Sequence, residues 1–235
     1  VWVSEDPLAH IQARALDSKL RPQYRYHEDW INKVLTESKF SRMKEFGYEI
    51  SALRSVVELD LNKDEIDEDS KIAAVIRLLE IAGIRIGNEK YSADGGSYGL
   101  STLEVRHVSV RGSIVRFQFI AKEGIAQDIA IDDAQVARIV KASMKNKSAT
   151  DHLFNVDSHD VNHFIKLHIG EQFSAKDFRT WVATTVAAEF LHESGPQTDP
   201  KLQAQAMKHA ADEVSKRLHN TPAIARDSYI SPTVF

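Results

Sequence analysis

Near its C-terminus the chain reads RLHNTPAIARDSYISP, Arg217 to Pro232, and sets Tyr229 a short, helix-compatible distance after a His-Asn-Thr-Pro turn. A tyrosine in such a place either packs as an aromatic or acts as a covalent nucleophile. A nucleophile needs cations elsewhere in the chain for the group it attacks. Three positions offer them. Arg85 closes the apolar helical run IAGIRIGNEKY, and Lys122 lies in AKEG at a hairpin turn. Arg179 stands in SAKDFRTWVATT at the start of an apolar helix, just after the acidic Asp177. Singly, each has a plain reading. An arginine at a helix end is a dipole partner or a surface ion pair, and a hairpin lysine is a solvated turn residue.

The elements that must position these residues follow from periodicity. Residues 1 to 26 read as extended, with alternation in VWVSED and HIQARAL and an aromatic ending, QYRYH. From His27 to about Gly87 the pattern is helical. It is clearest in SKIAAVIRLLEIAGIRIG, where Ile72, Val75, Leu78, Leu79 and Ala82 form one stripe. After the link DGGSYG come three β-like runs, STLEVRHVSV, SIVRFQFIA and QDIAIDD, with turns at Gly112-Ser113 and Glu123-Gly124. From Asp132 onward the pattern is helical again. The expected fold is mainly α with a small antiparallel β-sheet (α+β), the sheet spanning about 101–131. Trp181, Val182, Val186 and Phe190 read as the core stripe of the helix that carries Arg179.

Composition narrows the chemistry. The 235 residues contain no cysteine, which excludes disulfides, thiolate zinc sites and cysteine nucleophiles. No apolar run approaches a membrane span, and VWVSEDPLAH lacks the plan of a signal peptide and an initiator Met, so the chain reads as a fragment of a longer one. The net charge of −4 argues mildly against nucleic acid, although a local cleft can differ from the whole. DLNKDEIDEDS begins like a calcium loop, but Glu65 stands where the sharp turn needs Gly and Lys71 where a closing Glu is needed. It reads instead as a solvated loop ending in a helix cap. HDVNH sets His159 and His163 four apart, without a third ligand, and reads as a polar helix face. No metal site and no cofactor are expected.

Taken together and in order, GIRIGNEKY, STLEVRHV, FIAKEG, KDFRT and NTPAIARDSYI give the chain a specific likeness. It resembles the type IB DNA topoisomerases, in the form of their short branch from bacteria and large DNA viruses, from about QYRYH to SYISP. By that resemblance Arg85 is the first active-site arginine, Lys122 the hairpin lysine, Arg179 the second arginine and Tyr229 the nucleophile. One position departs from the pattern. Many members have Gly-His-Thr-Pro in the turn, whereas here Asn220 falls at the histidine and His219 where Gly is common. Asn in this place is similar to the bacterial branch, so Asn220 is the expected phosphate contact, with His219 the alternative if the turn is rearranged. Asp177 either orients Arg179 or caps its helix.

The implied chemistry is attack of Tyr229 on a DNA phosphodiester. Two guanidinium groups and Asn220 hold the non-bridging oxygens, and Lys122 protonates the leaving 5′-oxygen. The product is a 3′-phosphotyrosyl intermediate, resealed without ATP or metal after strand rotation. The stretch QYRYH is similar to one that ends an amino-terminal DNA-clamping domain in the viral branch. Residues 1–26 are therefore expected to be the remnant of such a domain plus a linker, and 27–235 the catalytic domain. Tyr24 and Tyr26 become candidate DNA contacts, or aromatics packed on the first helix. Lys90, Arg106, Lys145 and Lys147 are candidate phosphate contacts. The implied partner is double-stranded DNA, met by a monomer in the cytoplasm. Two rivals stand beside this reading: a tyrosine recombinase, whose usual His-x-x-Arg differs from Lys176-Asp177-Phe178-Arg179, and a non-catalytic DNA-binding module of the same fold.

Overall fold

The computed structural model describes residues 1–18, 20–31, 37–89, 92 and 96–235. The chain divides into two compact units, Val1–Glu45 and Phe46–Phe235. In the first, strands β1 (Trp2–Val3), β2 (Ile11–Leu16) and β3 (Pro22–Tyr26) form an antiparallel sheet in that order. The β2–β3 turn is fixed by Asp17, whose carboxylate accepts the Arg21 amide at 3.0 Å and the Arg21 Nε at 2.7 Å. Trp2, Arg14 and Tyr24 are successive cross-strand partners and so share one face. The Arg14 guanidinium lies 5.8 Å from the centre of the half-exposed Tyr24 ring.

Helix α1 (Glu37–Leu61) begins in the first unit and ends in the second. The second unit is built around α2 (Glu68–Ala82), on which Ile72, Val75, Leu78, Leu79 and Ala82 are all buried. Its start answers the acidic segment. The Asp67 carboxylate caps the helix by accepting the Ser70 amide at 2.8 Å. The Lys63 ammonium sits among Asp60, Asp67 and Asp69 at 2.8, 2.9 and 3.4 Å. The Ser70 amide first, and then Lys63, hold the Asp67 carboxyl down at about 2.

Strands β4 (Val108–Arg111), β5 (Ile114–Ile120) and β6 (Ala126–Asp132) follow as an antiparallel sheet. β5 and β6 alternate exposed and buried residues along their whole length. Val115 faces Ile131 and Phe117 faces Ile129 on the inner side. The sheet starts at Val108, not near 101 as the β-like run STLEVRHVSV suggests. Two single turns, Leu100–Thr102 and Val105–His107, replace that part of the strand. Their side chains compete with a ladder. The Thr102 hydroxyl accepts the Gly99 amide at 3.0 Å, and the His107 ring accepts the Glu104 amide at 3.1 Å.

After the sheet, the α-helices among the described residues are α3 (Ala134–Ser143), α4 (Ser158–Ile169), α5 (Ala175–Ser194), α6 (Pro200–Leu218) and α7 (Pro222–Ser228). Asp133, Asp157, Asp199 and Thr221 cap four of them with side-chain oxygens, and Pro follows the cap in α6 and α7. α2 packs against α3, α4 and α5, while α5 packs on α6 and α6 on α7. Val182, Ala183 and Ala187 of α5 meet Ala210, Ala211, Val214 and Leu218 of α6, with Ala225 and Ile230 closing the cluster. The small residues let the helices approach closely. Among the described residues no helix is long and apolar enough to cross a membrane.

Candidate functional site

Three helix ends and one loop converge on Arg179. α2 stops at Gly83, which takes a left-handed conformation, φ 60° and ψ 21°. A Cβ there would meet Leu218 Cδ2 at 2.7 Å. Glycine therefore satisfies both the backbone and the close approach of α6. The Gly83 carbonyl accepts Arg179 Nη1, and the Leu218 carbonyl, at the last residue of α6, accepts Nη2 at 3.1 Å. Arg179 is 5% exposed, and its buried Nε–H has no partner. Burial first, and then the charge of Arg85, pull its pKa downward, but an arginine remains protonated across the physiological range. Asp177 has a different part. Its carboxylate accepts the Ser174 amide at 2.9 Å and the Ser174 hydroxyl at 3.0 Å in a capping box that starts α5.

The chain leaves Arg179 at Leu218 and returns at Tyr229. His219 takes a left-handed conformation, φ 50° and ψ 55°, at the end of α6, a geometry that glycine adopts at lower cost. Burial, then the charges of Arg179 and Arg217, lower the His219 pKa below the usual imidazole value. Asn220 follows, with both amide atoms buried and neither holding a hydrogen-bond partner. α7 then carries the chain through about two turns, roughly 10 Å, to Tyr229, whose amide donates to the Ala225 carbonyl at 3.0 Å. The partly buried Tyr229 ring lies 4.9 Å from the Arg179 guanidinium carbon. Burial alone raises the phenol pKa. The charge of Arg179 and its hydrogen bond, followed by those of Arg85, outweigh it, so the net shift is downward.

Arg85 lies in the segment after α2, and its backbone is fixed by the loop that precedes the sheet. The Leu100 amide donates to the Arg85 carbonyl at 2.9 Å, and the Ser101 amide to the Ile86 carbonyl at 2.7 Å. Gly99 allows this contact, because a Cβ on it would stand 2.6 Å from the Arg85 oxygen and 2.5 Å from the Gly87 nitrogen. Gly99→Ala is therefore expected to lower stability by about 1–3 kcal/mol through overpacking, read as a lower urea midpoint with an unchanged slope.

Arg85, Arg179 and Tyr229 are thus brought together, with Asn220 and His219 next to the Leu218 carbonyl that Arg179 holds. Lys122 takes no part in those contacts. It opens a single turn, Lys122–Gly124, between β5 and β6, its side chain is 68% exposed, and its ion-pair partner is Glu123 at 3.9 Å.

The candidate DNA contacts have varied surroundings. Lys90 lies outside the described residues. Arg106 is tied to Glu104 at 2.5 Å and to the Tyr98 hydroxyl at 3.2 Å. Lys147 donates to the His152 and Leu153 carbonyls and to Asn155 at 2.7, 2.9 and 3.1 Å, which staples its loop. Lys145 is exposed. Tyr24 and Tyr26 lie on one face of β3 with ring centres 6.1 Å apart. Near His159 the structure groups Asp157, His159 and Asp160, but Asp157 and Asp160 already serve the start of α4 as a capping box. The sequence gives no signal for Thr102, whose hydroxyl accepts the Gly99 amide and so helps hold the loop that meets the Arg85 carbonyl. Gly83 was legible only as a glycine after an apolar helical run.

A phenol held by two guanidinium groups suits attack on an anionic electrophile whose charge grows in the transition state. In class, then, the chain is an α+β domain with a tyrosine–arginine centre. It belongs to the DNA topoisomerase I family: the model of the eukaryotic DNA topoisomerase I catalytic core matches residues 31–231. It is 28% identical to DNA topoisomerase 1B of Acanthamoeba polyphaga mimivirus, over 98% of this chain and 73% of the viral protein. It is 24% identical to DNA topoisomerase 1B of vaccinia virus over the same shares, and 26% identical to DNA topoisomerase 1 of Daucus carota over 67% of this chain and 20% of that protein. Among solved structures, the XerH site-specific recombinase bound to its difH substrate superposes with a TM-score of 0.43 and 11% identity, covering 90% of this chain and 55% of that one.

Proposed function

We propose that the chain is the catalytic part of a type IB DNA topoisomerase, relaxing supercoiled duplex DNA by transient cleavage of one strand without ATP or metal. The observation that carries the reading is the Tyr229 ring held 4.9 Å from the Arg179 guanidinium carbon. The phenol gives up its proton to solvent water, favoured by the two guanidinium groups, and its oxygen attacks phosphorus. The free Arg179 N–H groups, Arg85 and the Asn220 amide take the charge that grows on the non-bridging oxygens. Lys122, on its exposed hairpin turn, protonates the departing 5′-oxygen once DNA lies against it. The P–O5′ bond breaks as the tyrosyl–phosphorus bond forms, leaving a 3′-phosphotyrosyl ester and a free 5′-hydroxyl. The cleaved strand turns about the intact one, and the 5′-hydroxyl displaces the tyrosine. One phosphodiester is exchanged for another, so no nucleotide need be consumed.

The partner is double-stranded DNA, engaged by a monomer in the cytoplasm of a bacterium. The exposed Tyr24, with Tyr26, and Lys145, Arg106 and Lys90 meet its backbone, while Lys147 shapes its own loop. Residues 1–26 are the C-terminal remnant of an upstream DNA-clamping domain plus a linker, and 27–235 the catalytic domain. The test is trapping of a covalent complex on denaturing gels, in EDTA and without ATP, using nicked duplex labelled separately on each side. The expected result is an adduct on the 3′-phosphate side, with relaxation of supercoiled plasmid by the same preparation. Adduct without relaxation, but with strand exchange between two duplexes, would point to a recombinase. Binding with no adduct, from this chain and from one extended upstream, would leave a DNA-binding module.

A further inference from the structure

Adjacent threonines on α5 have different duties. The Thr185 hydroxyl donates back to the Trp181 carbonyl at 3.0 Å, the usual habit of a threonine inside a helix. The Thr184 hydroxyl turns away from its own helix. It donates to the Tyr229 carbonyl at 3.4 Å and accepts the Ser231 amide at 3.1 Å. One hydroxyl therefore holds the backbone on both sides of Ile230, a residue 1% exposed that packs into the cluster shared with Val182 and Ala183. Tyr229 follows the last residue of α7 at φ −131° and ψ −32°, and the Thr184 hydroxyl meets its carbonyl just where the helix ends.

Thr184 lies five residues after Arg179 on the same helix. The helix is a rigid rod of about 1.5 Å per residue, so it measures out the separation between the guanidinium and the anchored tyrosine backbone. We infer that Thr184 is a positioning residue for the nucleophile: through its hydroxyl, α5 sets Tyr229 against the guanidinium that α5 itself carries. This rests on the reading of Tyr229 as nucleophile.

The effect should fall on the chemical step and not on DNA affinity, since Thr184 binds only backbone of its own chain. A small misplacement of a reacting group costs up to about a hundredfold in rate. The experiment compares wild type, Thr184→Val and Thr184→Ser in single-turnover adduct formation on nicked duplex. Binding is followed by fluorescence anisotropy and folding by thermal melting. The expected result is a fall in adduct rate of about tenfold to a hundredfold for Thr184→Val, with unchanged affinity, and a Thr184→Ser rate within about threefold of wild type. Thr184→Ala takes the place of the valine variant if the latter melts early, with the same expectation. A valine or alanine variant that forms adduct at the wild-type rate overturns the proposal and leaves Tyr229 as nucleophile untouched. A serine variant as slow as the valine one also overturns it, since the hydroxyl would then not be the operative group. If wild-type protein forms no adduct at all, the underlying reading fails and the proposal falls with it.

Discussion

Tyr229→Phe is expected to abolish covalent adduct formation and plasmid relaxation while leaving the fold in place. The ring packs beside the core cluster of α5 and α6 and faces the Arg179 guanidinium, and phenylalanine keeps both contacts, so a melting curve displaced by no more than about 1 kcal/mol is expected. DNA affinity should persist. In the wild-type protein the adduct rate should climb with pH through an apparent pKa below the ordinary tyrosine value of about 10. The sign follows from the balance at the phenol. Burial favours the neutral form, but Arg179 and then Arg85 favour the phenolate more strongly. A group ionised more readily in the folded state than in the unfolded one also adds stability as pH rises between its two pKa values. An unshifted profile together with a Phe variant that still forms adduct would assign the bond to another residue.

The second large effect is at Arg179. Arg179→Lys is expected to slow adduct formation by about a hundredfold to a thousandfold, the scale of losing a preorganised charge-stabilising donor. An ammonium keeps the charge but loses the flat fork and cannot bond the Gly83 and Leu218 carbonyls while its remaining N–H groups face the phosphate. Arg179→Ala should do more. It leaves two buried carbonyls without a donor, each costing about 1–3 kcal/mol, and should lower the denaturant midpoint markedly. Single-turnover rates and urea melts on both variants separate the two duties. A lysine variant with wild-type kinetics would remove Arg179 from the chemistry.

Much of this was legible in the sequence because the responsible signals are local. The buried stripe of α2 follows from the spacing of Ile72, Val75, Leu78, Leu79 and Ala82, and the β5–β6 pair from strict alternation around Phe117 and Ile129. The convergence of Arg85, Arg179 and Tyr229 lies beyond local pattern, and only the order of five motifs pointed to it. The start of the sheet was misread because STLEVRHVSV has the composition of a strand. Its first half answers to contacts distant in sequence, the Leu100 and Ser101 amides bonding to Arg85 and Ile86. Asp177 shows the reverse. Its two possible duties could not be separated by residue type, but the Ser174 contacts make its capping duty plain. Thr184 left no trace, since a hydroxyl inside an apolar helix looks the same whether it bonds its own turn or a neighbour's backbone.

The ends of α2 and α6 both turn carbonyls toward one guanidinium, and helix C-termini carry partial negative charge. This bears on how such a chain can drift through descent. A tyrosine can be lost at little structural cost, so a lineage that abandoned strand cleavage could shed Tyr229 early. Arg179 clasps two helices and would be retained long after its chemical purpose had gone. Descendants of this fold that merely hold DNA should therefore still carry the arginine, as the fossil of a reaction they no longer perform.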